Sequence, residues 1–243
     1  MKPIQILMPM GGLGQRFRDK GYDTPKPLIQ VREKPMFLEA LASFDAYKGN
    51  KKHLFVVRQD AQDKHQLASE IQKLLPDSMV AMLQKDTRGA VETCLLARDL
   101  IDPQLPLIVM DCDFSFSSSE YFSKVTELAR NATYDGVLLS FDSDWDRYSY
   151  ARTNDEGLVV ETAEKKVISR NALAGAYCFG SGQMFIDAAD RLMRRPVAKS
   201  MPEYYISLLY NLLINGGRKI TLAKTDTFHS FGTPEELAIF LGN

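Results

Sequence analysis

A glycine-rich segment near the N-terminus has the composition of a phosphate-binding loop. Gly11, Gly12 and Gly14 follow a short apolar run that predicts a strand. A turn of this kind exposes several backbone N–H groups, and glycines allow close approach because they lack a Cβ and accept positive φ angles. Arg16 in the same segment and Lys26 in the sequence Pro-Lys-Pro-Leu add local positive charge. The pattern therefore predicts a site for phosphate groups.

Two better-known glycine-rich motifs do not fit this segment. Phe17 stands where a dinucleotide-binding turn requires Gly or Ala. The segment also lacks the Gly-Lys-Ser or Gly-Lys-Thr ending of a P-loop. The predicted phosphate site is therefore of another type.

Two aspartates follow a predicted buried strand at residues 107–110. Asp111 and Asp113 flank Cys112 at the carboxyl end of that strand, where open α/β sheets bind their ligands. Carboxylate oxygens suit Mg²⁺, which usually takes one or two carboxylates together with substrate phosphates. Both aspartates are candidate magnesium ligands, and the alternative for each is a turn or a helix cap.

These motifs resemble the signature of the sugar nucleotidyltransferases, which include sugar-1-phosphate pyrophosphorylases and related phosphocholine and capsule cytidylyltransferases. The specific elements are Gly-Gly-x-Gly-x-Arg-Phe and the downstream Pro-Lys-Pro-Leu. Further landmarks follow in the family's order: Gln84 with Thr-Arg-Gly89-Ala, Asp111-Cys-Asp113, Glu164-Lys165, Ala-Gly175-Ala-Tyr, and Gly232-Thr-Pro-Glu-Glu-Leu. The resemblance spans nearly the whole chain.

The resemblance implies a magnesium-dependent enzyme that joins a nucleoside triphosphate to a phosphorylated small molecule and releases pyrophosphate. An oxygen of the acceptor's phosphate would attack the α-phosphorus in line, without a covalent intermediate. Arg16 would hold the β- and γ-phosphates, Lys26 the α-phosphate, and Asp111 the metal. None of the three histidines falls in these motifs, which fits a nucleophile that is already ionised at neutral pH.

The same resemblance implies binding roles for a wider set of residues. The expected nucleotide contacts are Met10, Gly11, Gly12, Gly14, Gln84 and Gly89; the acceptor contacts are Glu164, Lys165, Gly175 and Lys199; and the metal ligands are Asp111 and Asp113. An amide such as that of Gln84 could read a base edge, because it offers both a donor and an acceptor. The alternatives are a solvent-facing Gln84, a solvated Glu164–Lys165 pair and a plain surface charge at Lys199.

One position departs from the family's pattern. Sugar-specific relatives carry a metal-binding Asp two residues before the Gly-Thr of the closing motif, whereas this chain has Ser230 there. Either Asp111 and Asp113 would hold the metal with phosphates and water, or Asp226 would substitute from a shifted position.

Two other functions compete with the transferase. A nucleotide-sugar glycosyltransferase also uses an Asp-x-Asp strand end, but it would lack the triphosphate loop. A catalytically silent nucleotide-sensing subunit would keep the fold, although the intact Arg16, Lys26 and Asp111 count against it. The base and the acceptor are both left open.

The elements that must position these residues alternate along the chain. Short apolar runs and amphipathic stretches predict stacked β-α units, hence an α/β fold with a doubly wound, Rossmann-like, mixed and mostly parallel sheet. After residue 142 the pattern predicts a small β-rich lid over the acceptor site. We expect one nucleotidyltransferase domain, with residues 1–142 as the nucleotide-binding half and 143–243 as the acceptor-binding half. Helices are predicted at 35–47, 61–75, 90–101 and 203–214, and a long loop at 11–27.

Composition limits the remaining possibilities. A formal net charge of −1 gives no electrostatic support for binding nucleic acid. The N-terminal apolar run is too short for a signal peptide or a membrane span, which predicts a cytoplasmic protein. The expected partners are a nucleoside triphosphate, a phosphorylated small-molecule acceptor and Mg²⁺, with no nucleic acid and no membrane. Homo-oligomer formation is left open.

Overall fold

The computed structural model describes residues 2–131, 133–196 and 203–242. Thirteen strands lie in these ranges: β1 Ile4–Met10, β2 Gln30–Val31, β3 Lys34–Pro35, β4 Lys51–Arg58, β5 Met79–Leu83, β6 Leu107–Met110, β7 Phe114–Ser117, β8 Gly136–Asp142, β9 Ser149–Thr153, β10 Val159–Glu164, β11 Asn171–Phe179, β12 Ile220–Lys224 and β13 Thr227–Ser230. Nine of them form one sheet along the path β10-β9-β11-β6-β1-β4-β5, with β8 beside β11 and β12 beside β8. The predicted α/β fold with a mixed sheet is confirmed.

The helices of the described ranges cover both faces of that sheet. They are α1 Gln15–Arg18, α2 Met36–Ala42, α3 Gln59–His65, α4 Leu67–Leu74, α5 Ala90–Leu95, α6 Ser119–Asn131, α7 Gly182–Met193, α8 Ser207–Asn215 and α9 Pro234–Leu241.

Strand β1 shows how the sequence builds two cores. Its side chains alternate between the faces of the sheet, so that Ile6 and Met8 join one hydrophobic cluster and Leu7 joins the other. Gln5 is fully buried, and its side-chain amide is satisfied by backbone groups of Asp102 and Leu105. Because both faces are covered, the strand reads as a nearly continuous apolar run.

The position of β1 creates a switch point in the sheet. β1 pairs in parallel with β4 on one side and with β6 on the other, and β5 continues the parallel set beyond β4. The chain therefore leaves β1 toward one edge and returns to its other side, which opens a crevice at the carboxyl ends of β1 and β6. The glycine-rich segment follows β1 and Asp111 follows β6, so both predicted motifs meet at this crevice.

Several predicted helices prove shorter than the apolar periodicity indicates. The helix predicted at 61–75 is two helices, α3 and α4, because Gln66 between them has a φ of 53°. The side chain of Gln62 then accepts the Ala68 N–H at 2.7 Å and so caps α4. The predicted helices 35–47 and 90–101 end in 3-10 turns at Ser43–Ala46 and Arg98–Leu100, and the predicted loop 11–27 contains α1.

A two-stranded antiparallel sheet, β7 with β13, was not predicted. It brings the segment after Asp113 against the segment that ends at Ser230, because Phe114 pairs with Ser230 and Phe116 with Phe228. Together with the β9–β10 hairpin it forms the β-rich region around the crevice. No helix in the described ranges is both long and apolar enough to cross a bilayer.

Candidate active site

A cleft of about 420 Å³ lies at the switch point. Six of the residues expected from the sequence to act in the site line it: Arg16, Lys26, Asp111, Asp113, Glu164 and Gly175. Ser230, at the position that departs from the family's pattern, lines it as well. Residues from both sides of position 142 thus meet in a single cavity. Its size suits a small-molecule ligand.

Two positions of the glycine-rich segment favour glycine. Gly14 has a φ of 65° at the start of α1, a conformation that L side chains rarely adopt. At Gly11 an added Cβ would lie 2.9 Å from the Leu83 side chain and 3.1 Å from that of Thr93, so a larger residue would require these side chains to shift. Arg58, which sequence reasoning missed, donates to the Gly11 carbonyl oxygen at 3.3 Å.

Lys26 projects into the cleft and forms an ion pair with Asp113. Burial lowers the pKa of Lys26, but the charge and hydrogen bond of Asp113, together with smaller contributions from Cys112 and Asp111, outweigh burial and leave the pKa above its ordinary value. The lysine is therefore a fixed positive charge at neutral pH. Its ammonium group also lies 5.8 Å from the centre of the Phe17 ring.

Asp111 lies on the cleft floor without such a partner. No side chain in the described ranges donates a hydrogen bond to it or forms an ion pair with it. Desolvation at the floor and the charge of Asp113 raise the pKa of Asp111 to about 7, while Lys26 opposes the shift. The side chain is open to the cleft, so solvent screens part of this effect. An uncompensated carboxylate of this kind favours a bound cation.

Gly175 is required by the position of Asp111. It has a φ of 81°, and a Cβ there would lie 2.8 Å from Asp111 Oδ2. It sits where the pairing of β11 changes register, between Leu173 and Tyr177. The glycine thus makes room for the carboxylate where β11 passes the end of β6.

Glu164 points into the cleft and is oriented by two hydroxyl groups. Its Oε2 accepts from Ser149 Oγ at 2.6 Å and from Ser207 Oγ at 2.8 Å. Lys165 turns aside: its Nζ donates to the Tyr205 hydroxyl at 2.7 Å and lies 4.8 Å from the centre of that ring. Lys165 is not among the described residues that line the cleft, although Tyr205 is. The two neighbours therefore do not form a solvated charge pair with each other.

The predicted base-reading segment lies beyond the glycine-rich loop. Gln84 is exposed just after β5. Gly89 has a φ of 131°, and a Cβ there would come within 2.6 Å of the Tyr204 backbone nitrogen. The Tyr204 backbone donates to Arg88 O at 2.8 Å and accepts from Val91 N at 3.0 Å. This contact fixes the segment before α8 beside the predicted base-reading segment, and sequence reasoning did not predict it.

Ser230 does not act alone on its side of the cleft. Its hydroxyl donates to Glu236 Oε2 at 2.8 Å, and Glu236 Oε1 accepts from Arg147 Nη2 at 2.7 Å. All three residues line the cleft. Asp226 serves elsewhere, because its carboxylate accepts the Ser119 N–H at 2.8 Å at the start of α6. Asp226 therefore does not replace the missing acidic residue in the cleft.

Sequence reasoning also missed most of the cleft wall opposite the glycine-rich loop. Arg147, Tyr148, Tyr205 and Phe228 line it, together with Glu236. Glu236 belongs to the closing motif, which offered a signal, whereas the others lie in segments without a recognisable pattern. Lys199 lies outside the described residues.

Comparison with known proteins places these features in a wider set. Over residues 5–210 the sequence matches the protein family described as nucleotidyl transferase. It is 26% identical over 247 aligned positions to the UTP–glucose-1-phosphate uridylyltransferase AglF of Haloferax volcanii, an alignment that covers 96% of this chain and 93% of that protein.

Solved structures show the same likeness. The nucleoside-diphosphate-sugar pyrophosphorylase from Vibrio cholerae RC9 superposes with a TM-score of 0.83 at 28% identity, covering 98% of this chain and 100% of that one. A Bacillus anthracis protein described as a glucose-1-phosphate thymidylyltransferase superposes with a TM-score of 0.77 at 18% identity, covering 99% and 94% of the two chains. The second likeness bears on the fold alone.

Proposed function

Because the chain belongs to the nucleotidyl transferase family, we propose that it is a transferase that uses a nucleoside triphosphate. It transfers the nucleoside monophosphate to a sugar 1-phosphate or another phosphorylated small molecule and releases pyrophosphate. The predicted resemblance to sugar nucleotidyltransferases is confirmed by the family match and by the relatives. The reaction is of the pyrophosphorylase type.

One observation carries the proposal for this particular chain. The cleft at the switch point contains Arg16 and Lys26 from the glycine-rich side and Asp111 and Asp113 from the end of β6. Phosphoryl transfer depends mainly on positioning and on stabilising charge, and these four side chains supply charge of both signs around one cavity. A cleft built to bind only a sugar or a base would not need them.

We assign the chemical roles as follows. Arg16 binds the β- and γ-phosphates of the triphosphate and Lys26 binds the α-phosphate. An ionised oxygen of the acceptor's phosphate attacks the α-phosphorus, a new P–O–P linkage forms, and the bond to the β-phosphate oxygen breaks as pyrophosphate leaves with its electrons. No proton transfer is needed, so the mechanism requires no histidine. Glu164, already oriented by Ser149 and Ser207, accepts a hydrogen bond from an acceptor hydroxyl or amine.

The donor set fits Mg²⁺. Asp111 and Asp113 offer carboxylate oxygens, and among the described residues no group of three or more His, Cys, Asp or Glu side chains is arranged to hold a metal. Mg²⁺ is typically bound by one or two carboxylates plus substrate phosphates, so a site with two protein carboxylates suits that ion. When bound, it would offset negative charge on the transferring group.

Pyrophosphate release tests the proposal. Four nucleoside triphosphates are combined with a panel of phosphorylated acceptors in the presence of Mg²⁺, and the products are identified by mass spectrometry. UTP with glucose 1-phosphate comes first, because a relative bears the name UTP–glucose-1-phosphate uridylyltransferase. A nucleotide-sensing subunit would bind a triphosphate without releasing pyrophosphate. A glycosyltransferase would consume a nucleotide sugar instead.

The cellular setting is also proposed. A nucleotide-activated small molecule made in this way would serve as a precursor for surface polysaccharide or capsule synthesis, in the cytoplasm where nucleoside triphosphates are available. The division into a nucleotide-binding half at 1–142 and an acceptor-binding half at 143–243 stays a prediction. So do the nucleotide contacts at Met10, Gly11, Gly12, Gly14, Gln84 and Gly89.

A further inference from the structure

Arg147 lies in the cleft, and none of the roles assigned above uses it. Its Nη2 donates to Glu236 Oε1 at 2.7 Å and to the Tyr148 hydroxyl. The centre of the guanidinium lies 4.6 Å from the Tyr148 ring and 5.0 Å from the Trp145 ring. These contacts fix the group in place, yet its Nε and Nη1 donate to no residue in the described ranges. The Arg147 guanidinium is therefore oriented by its contacts and still has N–H groups that can donate to a ligand.

Arg147 also lies near the proposed reaction centre. The position that a Cβ on Gly232 would occupy is 2.9 Å from Asp113 Oδ2 and 3.5 Å from Glu236 Oε2. Asp113, which pairs with Lys26, and Glu236, which pairs with Arg147, thus both lie close to Gly232. A phosphate placed between Lys26 and Arg147 would lie next to the α-phosphate that Lys26 is proposed to bind.

The charge of the cleft points to the same group. The described acidic residues that line it are Asp111, Asp113, Glu164, Glu203 and Glu236, and the described basic ones are Arg16, Lys26 and Arg147. Entry of a phosphate dianion beside so many carboxylates needs a cation close by. Lys26 is paired with Asp113, and Lys165 is directed to Tyr205. Among the described cations that line the cleft, Arg147 is the one in the same segment as Ser149, which donates a hydrogen bond to Glu164.

We propose, resting on the transferase function above, that Arg147 recognises the phosphate group of the acceptor and that Glu236 positions it. The free donors of Arg147 would form charge-assisted hydrogen bonds to phosphate oxygens, which are stronger than neutral ones. The ion pair with Glu236 and the two flanking rings hold the guanidinium ready, so little side-chain freedom is lost on binding. Arg147 then selects phosphorylated acceptors over their free counterparts.

Separate Michaelis constants for acceptor and triphosphate test this assignment. Arg147→Ala raises the KM for the acceptor about tenfold or more, as expected for the loss of a charge-assisted contact, and leaves the KM for the triphosphate within about twofold. Arg147→Lys keeps the charge but loses the fixed donors, and gives an intermediate KM. Arg152→Ala is the matched control, because Arg152 is an exposed arginine on β9 that pairs with Glu161 at 2.6 Å and does not line the cleft.

A purely structural role gives a different result. If Arg147 only ties its segment to α9, then Glu236→Gln and Arg147→Ala both lower the melting temperature and change the two Michaelis constants alike. Under the proposal Glu236→Gln, which keeps a hydrogen bond to Arg147, raises the acceptor KM by less than about threefold. Equal effects of the two variants on the acceptor KM, or a parallel rise of both constants in Arg147→Ala, overturn the assignment.

Binding can be followed without turnover through Trp145. It is the sole tryptophan of the chain, 61% exposed, and its ring lies 5.0 Å from the Arg147 guanidinium. Titration with inorganic phosphate and with glucose 1-phosphate changes its fluorescence in a saturable way, whereas glucose does not, and Arg147→Lys weakens the phosphate response several-fold. Phosphate affinity that is equal in wild type and Arg147→Lys, or no phosphate response at all, overturns the proposal. A protein that releases no pyrophosphate with any substrate pair refutes the transferase function, while this titration still tests Arg147.

Discussion

The Lys26 ammonium group is paired with the Asp113 carboxylate, so a proposed phosphate ligand and a proposed metal ligand contact each other directly. The pair joins the glycine-rich side of the cleft to the end of β6. In the proposed mechanism Lys26 would exchange Asp113 for a phosphate, and Asp113 would exchange Lys26 for Mg²⁺, so each side chain would keep a partner of opposite charge. The pair therefore keeps both charges in place before the substrates arrive.

Replacing Lys26 should reduce turnover far more than stability. Lys26→Ala is expected to lower kcat about 10²-fold or more, because a preorganised charge next to a developing negative charge contributes about 3 kcal/mol to transition-state stabilisation. Lys20→Ala is the matched control, since Lys20 is an exposed lysine nearby in sequence that pairs with Glu235 at 3.3 Å and does not line the cleft. Initial rates of pyrophosphate release provide the measurement. Near wild-type turnover of Lys26→Ala would remove Lys26 from the catalytic assignment.

The central part of the fold could be predicted because its signals are local. β1, β5 and β6 are short apolar runs bounded by turn residues, and the glycine-rich segment and Asp111 follow directly from two of them. Parallel strands have their carboxyl ends at the same edge of the sheet, so the meeting of the glycine-rich segment and Asp111 at that edge follows from a parallel sheet.

The cleft wall opposite the loop could not be predicted, because it depends on pairing between distant segments. β7 and β13 are 110 residues apart in sequence at the Ser117–Thr227 contact, and each is only four residues long, so neither segment indicates its partner. Arg147 could be recognised as a site residue only through its ion pair with Glu236, and the β7–β13 pairing brings Glu236 near it. The break at Gln66 was missed for another reason, since a residue other than Gly with positive φ gives no compositional signal.

The pKa of Asp111 leads to a prediction about stability. Its folded-state pKa of about 7 exceeds the ordinary value of 3.8, so the folded protein binds a proton more readily than the unfolded chain. Stability should therefore fall as pH rises from about 4 to 7, and the penalty should be fully present above pH 7. Asp111→Asn removes it. After allowance for solvent in the cleft, we expect about 1 kcal/mol at pH 8, or roughly 2–4 °C in melting temperature.

Thermal melts with metal and nucleotide removed by a chelator and dialysis measure this effect. Asp111→Asn should melt above wild type at pH 8 and near it at pH 5, while losing pyrophosphate release altogether. Asp113→Asn should raise the melting temperature at pH 8 less than Asp111→Asn does, because it relieves the repulsion between the two carboxylates but also removes the partner of Lys26. A lower melting point for Asp111→Asn at pH 8 would contradict the proposed cost of desolvation and repulsion at the cleft floor.

Gln84 should influence which base is used rather than how fast the reaction runs. Gln84→Ala removes a candidate base contact at the end of β5 and leaves the phosphate-binding residues intact. We expect the preference among the four triphosphates, expressed as ratios of kcat/KM, to narrow more than the rate with the best one falls. Lys85→Ala, at the exposed neighbouring position, controls for changes at this surface. If the ratios stay the same, Gln84 is a solvent-facing residue.

Restoring an acidic residue at position 230 should destabilise this chain. The Ser230 hydroxyl donates to Glu236 Oε2 at 2.8 Å, so Ser230→Asp would replace a donor with a second carboxylate next to Glu236. The lost hydrogen bond and the repulsion together should cost about 1–3 kcal/mol, whereas Ser230→Ala, which loses only the hydrogen bond, should cost less.

Thermal melts with and without Mg²⁺ separate two cases. Without the ion, Ser230→Asp should melt below Ser230→Ala. If Mg²⁺ raises its melting temperature more than it raises that of wild type, the new carboxylate reaches the ion. A metal-free Ser230→Asp protein as stable as wild type would show that Glu236 turns away easily, and the fixed arrangement of Ser230, Glu236 and Arg147 would then be wrong.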